Sequence, residues 1–302
     1  MLNRYLFLIV ALSGFVPPAA AQPACICTED VIYGRRDGHA LTMDVFAPRA
    51  KANGRGIIIC VSAGFESHKE MMKIVHPTAT RDLLDRGYVV FAVLHSSQPK
   101  YTVPEIVEDI HRAVRFIKLK APAYKIDPEK IGITGASSGG HLSLMMGCAY
   151  RAGNPTASDP VERQSSQVAA VACFFPPTDF VAFDSDNLTD EQKGFRSLFD
   201  IREPDPKTNL LVPITRERRR EIGRECSPLF CATKRAAPTL IIHGDKDQLV
   251  PFKQSADLIH KLDGCGVECK LEVRKGMDHG YPTMILDFPL LGKWFDNHLL
   301  AK

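Results

Sequence analysis

Charge of one sign is scarce in this sequence: 38 basic side chains against 35 acidic ones leave a formal net charge of +3. An excess so small and evenly spread gives no electrostatic footprint for nucleic acid or an anionic membrane surface. Long apolar runs are missing too. No stretch of about 18 apolar residues follows the N-terminal segment, so no membrane span is expected there. No internal repeat with a period of about 20–50 residues is present. Gly and Pro, at 21 each, are ordinary globular values, as are 24% charged and 45% hydrophobic residues. That composition excludes a disordered or collagen-like chain and suffices for a large core in 302 residues. Metal-ligand spacing is lacking as well: the Cys25-x-Cys27 pair is followed by no matching His/Cys cluster, so no metal is expected.

The N-terminus stands apart. Met1–Arg4 carries one positive charge, Tyr5–Val16 has none, and Ala19-Ala20-Ala21 offers a small-x-small site before Gln22. This layout predicts a signal peptide over 1–21, and a mature chain over 22–302 that is secreted or periplasmic. The nine cysteines fit export, where disulfides persist. Cys60, Cys148 and Cys173 lie in apolar segments and read as small buried hydrophobes. Cys226 with Cys231, and Cys265 with Cys269, are near enough in sequence for local bridges, but sequence does not fix the connectivity.

Short apolar runs alternate with longer amphipathic ones. Val31–Tyr33 and Leu41–Phe46 flank Asp37-Gly38, which predicts a hairpin. Gly56–Val61, Tyr88–Leu94, Lys130–Thr134, Val168–Phe175, Pro238–His243 and Leu271–Arg274 read as strands, several of them continuously apolar and so buried on both faces. Helices are expected over about Met71–Asp85, Pro104–Leu119, Gly139–Ala149, Phe252–Leu262 and Ile285–Leu299. In the second, Ile106, Ile110, Val114 and Ile117 form one apolar face. The alternation predicts an α/β fold: a mostly parallel central sheet with helices on both faces, its strand C-termini along one edge. Residues 178–235 break the rhythm, being polar and charge-dense, and read as a lid or insertion. The Arg216–Glu221 cluster within it, with interleaved glutamates, reads as a solvated helix face.

The chemistry concentrates at turns after strands. In Gly135-Ala136-Ser137-Ser138-Gly139, a strand ends at Thr134 and an apolar helix begins near Gly139. So sharp a strand-to-helix turn strains its central residue, and flanking glycines remove the Cβ clashes, which presents the Ser137 hydroxyl at the strand tip. Ser138 is the competing nucleophile, but the glycines centre on Ser137. A serine needs a base, and the base an orienter. His243–Pro251 follows a buried strand and places Asp245 and Asp247 in its loop, while Gly276–Gly280 follows the last strand and carries His279. Asp245, closer to the strand, reads as a turn-former, and His243, at the strand end, as a hydrogen-bonded structural residue. His141 lies four residues after Ser137 and reads as core or support, and His68 has room for an accessory role. The chain order Ser137, Asp247, His279 is that of an α/β-hydrolase triad. Oxyanion donors are expected at the Ser138 N–H and in the loop after the third strand, at Gly64 and Phe65.

With these residues identified, the chain resembles the α/β-hydrolase superfamily over roughly residues 30–300. More narrowly it resembles the esterase/lipase branch related to bacterial feruloyl esterases and the hormone-sensitive-lipase group. The stretches that carry the resemblance are Asp109–Lys118, Ile126–Leu144, Ser227-Pro228 and Ala237–Pro251. It implies Ser137 as nucleophile, Asp247 as acid, His279 as base and the Ser138 N–H as an oxyanion donor. The family often has His-Gly-Gly-Gly after the third strand, and Ser62-Ala63-Gly64-Phe65 stands there instead, without the His that braces the loop.

The expectation is therefore an exported serine hydrolase of carboxylic esters, needing neither metal nor organic cofactor. Its substrate is a small-molecule ester or an acylated carbohydrate; acyl length and oligomeric state are not legible. Two other readings share the motifs. A prolyl-oligopeptidase-type serine peptidase has the same elbow and triad order but usually carries a propeller, for which too few residues precede the first strand. A non-catalytic hydrolase-fold binding protein normally lacks a triad member, and all three stand here.

Overall fold

Runs such as Ile57-Ile58-Ile59 can be buried only if both faces of their strand are covered, and the fold covers both. The computed structural model describes residues 25–184 and 202–300. The expected signal peptide, residues 185–201 of the expected insertion and the last two residues lie outside the described residues. The strands are β1 (Cys25–Arg36), β2 (His39–Pro48), β3 (Gly56–Cys60), β4 (Val89–Val93), β5 (Ile131–Ala136), β6 (Ala170–Phe174), β7 (Arg202–Pro204), β8 (Leu211–Pro213), β9 (Thr239–Gly244) and β10 (Cys269–Arg274). Eight of them form one sheet in the order β1-β2-β4-β3-β5-β6-β9-β10. β1 and β2 pair antiparallel, as do β2 and β4, and every other pairing in the sheet is parallel. The expected α/β-hydrolase architecture is thus the one observed.

The helices are α1 (Met72–Asp85), α2 (Val103–Tyr124), α3 (Ser138–Cys148), α4 (Arg216–Glu225), α5 (Pro228–Cys231), α6 (Phe252–Gly264) and α7 (Phe288–Phe295). Side chains alternate across a strand, and the core divides accordingly. Ile58 and Cys60 face one cluster with Ile106, Ile110, Val114 and Ile117 of α2 and Leu258 and Leu262 of α6. Ile57, Ile59 and Val61 face the other with Leu83 and Leu84 of α1 and Trp294 and Phe295 of α7. Among the described residues no helix is long and apolar enough to cross a membrane.

Boundaries move where local chemistry overrides the pattern. α2 starts in a capping box between Thr102 and Glu105 and runs past Leu119 to Tyr124, with Pro122 tolerated in its last turn and Lys125 closing it in a left-handed conformation. The helix expected over Ile285–Leu299 is divided: a 3₁₀ turn over Pro282–Asp287, then α7, then a π turn over Asp296–Leu300. Pro289, lacking an N–H, fits only a helix's first turn, so α7 restarts there. β1 begins earlier than expected, since an edge strand carries exposed polar residues.

The described parts of the insertion are a hairpin of β7 and β8 and the helices α4 and α5. α4 exposes Arg216 and Arg220, half-buries Arg218 and Arg219 and buries Ile222 and Gly223, while Arg218 bonds Glu203 at 2.9 Å and Glu221 at 3.1 Å. All nine cysteines are free thiols, with Cys60, Cys148, Cys173 and Cys226 buried.

One buried ion pair holds the antiparallel side of the sheet against α2. Asp109, 1% exposed, accepts from Arg36 Nη2 at 2.7 Å and Nε at 2.9 Å, and from Ser96 N at 3.0 Å. Asp109→Ala strands the Ser96 amide and leaves the half-buried guanidinium with Glu105 alone, whose carbonyl oxygen lies at 3.1 Å and carboxylate at 3.8 Å. The stranded amide and lost charge-assisted bonds are expected to cost about 1–3 kcal/mol, read by urea unfolding.

Candidate active site

The C-terminal ends of β3, β5, β6, β9 and β10 reach one edge of the sheet, because parallel strands joined by crossovers must all end on the same side. The loops that leave them bring the expected residues together.

Ser137 sits between β5 and α3 with φ 53° and ψ −121°, a conformation an L-residue keeps only where its surroundings enforce it. The surroundings are close indeed. A Cβ on Gly135 would lie 2.4 Å from the Gly139 carbonyl carbon, and one on Gly139 would lie 2.5 Å from the Cys60 oxygen. Glycine on both sides is therefore a packing necessity. Ser137 N donates to the Phe174 carbonyl at 3.0 Å, which ties the turn to β6.

Ser137 Oγ lies 3.0 Å from His279 Nε2, and His279 Nδ1 lies 2.7 Å from Asp247 Oδ2. The Asp247 side chain is fully buried. Its Oδ1 accepts from the backbone N–H of Leu249 at 3.0 Å and of Val250 at 2.8 Å. Burial alone would raise its pKa, but the hydrogen bonds from His243 and His279 and the Val250 N–H outweigh burial and lower it to about 2. The Phe175 ring, held by a residue with φ 34°, packs on the His279 imidazole with centroids 4.5 Å apart.

The two loops that carry Asp247 and His279 are bolted together. Lys246 N donates to the Met277 carbonyl at 3.0 Å and Asp245 N to the Arg274 carbonyl at 3.2 Å. Asp245 Oδ1 accepts from Gly276 N at 2.6 Å, which makes Asp245 a turn residue. Asp278 Oδ1 accepts from Gln248 N at 2.9 Å and from His279 N at 2.7 Å.

The loop after β3 forms a tight turn. Ala63 and Glu66 exchange two backbone hydrogen bonds at 3.0 Å, and Gly64 and Phe65 between them have φ 58° and 64°. Two consecutive positive φ values are those of a type I′ turn. Ser138 N, at the first position of α3, has no intrahelical acceptor. The Ser62 and Ser138 hydroxyls lie 2.8 Å apart and join the loop to the elbow. A serine pair braces the loop where the family's His is lacking. Ser67 Oγ donates to the Val61 carbonyl at 2.6 Å and accepts from His95 N at 3.2 Å. Ser67 N donates to Ser97 Oγ at 2.8 Å, and Ser97 Oγ to the Ser67 carbonyl at 3.0 Å. Ser67→Ala strands the His95 N–H and Val61 carbonyl, and is expected to cost about 1–3 kcal/mol in a urea melt.

The remaining histidines separate by environment. His141 is fully buried, and burial lowers its pKa to about 4. Its Nε2 donates to the Cys226 carbonyl at 2.7 Å, and its ring packs against Phe65 and Phe180. It therefore ties α3 to the insertion. His68 is exposed, at the head of a 3₁₀ turn over Lys69–Met71. His243 touches Asp247, a contact that sequence reading missed although the i, i+4 spacing across the strand end is visible. Among the described residues no group of three or more His, Cys, Asp or Glu side chains is placed to hold a metal ion.

A hydroxyl in line with an imidazole that is itself held by a buried carboxylate is equipped for nucleophilic acyl transfer. The comparisons point the same way. The family model described as BD-FAE matches residues 43–262. Esterase LipQ of Mycobacterium tuberculosis (strain ATCC 25618 / H37Rv) is 25% identical over 230 residues, 76% of this chain and 51% of that protein. The chain spans about half the length of the curated relatives it matches first. A truncated carbohydrate esterase from gut microbiota superposes with a TM-score of 0.73 at 24% identity, over 93% of this chain and 99% of that one. An acetyl ester-xyloside bifunctional hydrolase from Caldicellulosiruptor lactoaceticus gives a TM-score of 0.71 at 20% identity, over 94% and 98%. At these identities the structural likeness is one of fold.

Proposed function

The chain belongs to the BD-FAE family, and from that premise we propose that it hydrolyses carboxylic esters through Ser137, His279 and Asp247. The observation that carries the reading is the continuous relay from Ser137 Oγ through His279 to the Asp247 carboxylate.

In the first step His279 Nε2 takes the Ser137 proton as Oγ attacks the ester carbonyl carbon, and the carbonyl oxygen becomes an oxyanion. Asp247 holds Nδ1–H in place, so that Nε2 is the free base, and stabilises the imidazolium that forms. The backbone N–H groups of Ser138, Gly64 and Phe65 receive the oxyanion, with the positive end of α3 behind them. Collapse of the intermediate expels the alcohol, which takes its proton from His279, and leaves Ser137 acylated. Water, deprotonated by His279, then attacks the acyl-enzyme. The acid leaves, and the proton returns to Ser137.

The substrate class best supported is an acyl ester on a carbohydrate, since the names of two structural neighbours speak of a carbohydrate esterase and an acetyl ester-xyloside hydrolase. The charged, apolar and small segments of residues 1–21 support an exported enzyme. The experiment is stoichiometric labelling by a fluorophosphonate, with the adduct mapped by mass spectrometry. An adduct on Ser137 supports the reading, and a folded protein that takes no label favours a hydrolase-fold binding protein instead. Turnover of acetylated xylo-oligosaccharides against matched amides then separates esterase from peptidase.

A further inference from the structure

Asp247 carries two histidines. His243, next to last in β9 and fully buried, places Nε2 3.1 Å from Asp247 Oδ2 and 3.0 Å from the Val250 carbonyl oxygen. Both neighbours can only accept, so Nε2 bears the proton. Nδ1 stands 2.6 Å from Ser255 Oγ on α6, whose hydroxyl donates there and fixes that tautomer. Oδ2, the oxygen that orients His279, thus receives two imidazole N–H groups, at 2.7 Å and 3.1 Å.

We propose that His243 is a positioning residue for Asp247: its Nε2–H, set by Ser255, aims Oδ2 at His279 and withdraws part of the carboxylate's charge from it. The inference rests on the hydrolase reading of the site. Two donors on one oxygen share its negative charge, so each bond is weaker than it would be alone. His243 thereby limits how strongly Asp247 stabilises the His279 imidazolium, which keeps the base ready to release its proton to the leaving alcohol.

Among the described residues no other charged side chain is bonded to the carboxylate. Among the described residues, His243 and His279 are the titratable groups bonded to Asp247. In the flanking loops, Asp245 and Asp278 direct their hydrogen bonds to the backbone of Gly276, Gln248 and His279. Lys246 is exposed. From α6, Lys253 pairs with Asp257, and Gln254 bonds Thr178 and Asp179. Just after β6 the Phe175 ring covers His279. From the end of β10 Arg274, and from the segment after it Tyr281, bond Asp287.

The test compares full-length wild type with His243→Leu, which removes the donor, and His243→Gln, which returns an N–H at the position of Nε2. In His243→Leu, Asp247 keeps its whole charge for His279, so the acid limb of kcat/KM is expected to move to higher pH by about half a unit or more. His243→Gln is expected to bring the limb back toward wild type. A purely structural role would lower the folded fraction or kcat/KM without moving the limb, and an unmoved limb in a folded, active His243→Leu protein overturns the proposal. A measurement on wild type stands independently of whether the variants fold. Nitrogen-15 NMR of the imidazoles is expected to show His243 protonated at Nε2 and bare at Nδ1, and the opposite tautomer overturns the proposal. If wild type itself neither turns over esters nor takes a fluorophosphonate, the functional reading has failed instead.

Discussion

Ser137→Ala is expected to lower kcat/KM for a short-acyl nitrophenyl ester by roughly a million-fold, with the melting temperature nearly unchanged. The size follows from the roles of the three side chains. In the proposed mechanism every later step passes through the acyl-enzyme, and without the Ser137 hydroxyl none forms, so His279 and Asp247 are left with no attack to assist. The small effect on stability follows from the contacts. Apart from its backbone bonds to Phe174 and His141, which alanine keeps, the one hydrogen-bond partner of the Ser137 side chain among the described residues is His279 Nε2. A residual rate from the oxyanion donors and substrate binding is expected to remain. The neighbouring Ser138 cannot take over, because it is fully buried and its hydroxyl is bonded to Ser62. Unchanged turnover in Ser137→Ala would remove Ser137 from the mechanism, and loss of fluorophosphonate labelling in the same variant would place the label there.

Sequence carried this far because burial and strain leave local marks. The run Ile57-Ile58-Ile59 has no polar face to offer water, so a strand covered on both sides was its only outlet. Gly135 and Gly139 flank a serine because backbone atoms occupy the space a Cβ would need, and that need is written in the chain within five residues. What sequence did not disclose are bonds between residues far apart that follow no period. Ser67 and Ser97 bond to each other across the loop after β3, and nothing in either serine's neighbourhood announces the other. His243 looked structural from its strand position, and it is hydrogen-bonded as expected; that its partner is Asp247 depends on how the loop after β9 folds back over the strand end. The hairpin of β7 and β8 was hidden for another reason. Its three-residue strands expose Leu211 and Val212, so no buried face imposed an alternation on the sequence.

Asp247→Asn is expected to lower kcat by about ten-thousand-fold, whereas Asp245→Asn lowers it less than about tenfold. The two carboxylates stand two residues apart in one loop, and the difference lies in what each one holds. Asp245 accepts a backbone N–H from Gly276, and the oxygen of an asparagine can accept it equally. Asp247 Oδ2 accepts from His279 Nδ1, and an asparagine that turns its NH₂ toward that ring favours the tautomer with the proton on Nε2. His279 would then face Ser137 with a donor and could not take its proton. The carboxylate's own ionisation supplies a second, independent readout. Its pKa is lowered from an ordinary 3.8 to about 2, so folding binds the charged form more tightly than unfolding does. The stability it contributes is fully present above the ordinary carboxylate pKa and is lost as pH falls through about 2. The gap in melting temperature between wild type and Asp247→Asn should therefore narrow as the pH is lowered from about 5 toward 2. Asp245 shares neither the burial nor the two imidazole donors. If Asp245→Asn proved the more damaging of the two in kcat, the acid would have to be reassigned to Asp245, and the hydrogen bond between Asp247 and His279 would be a packing contact rather than a link in the relay.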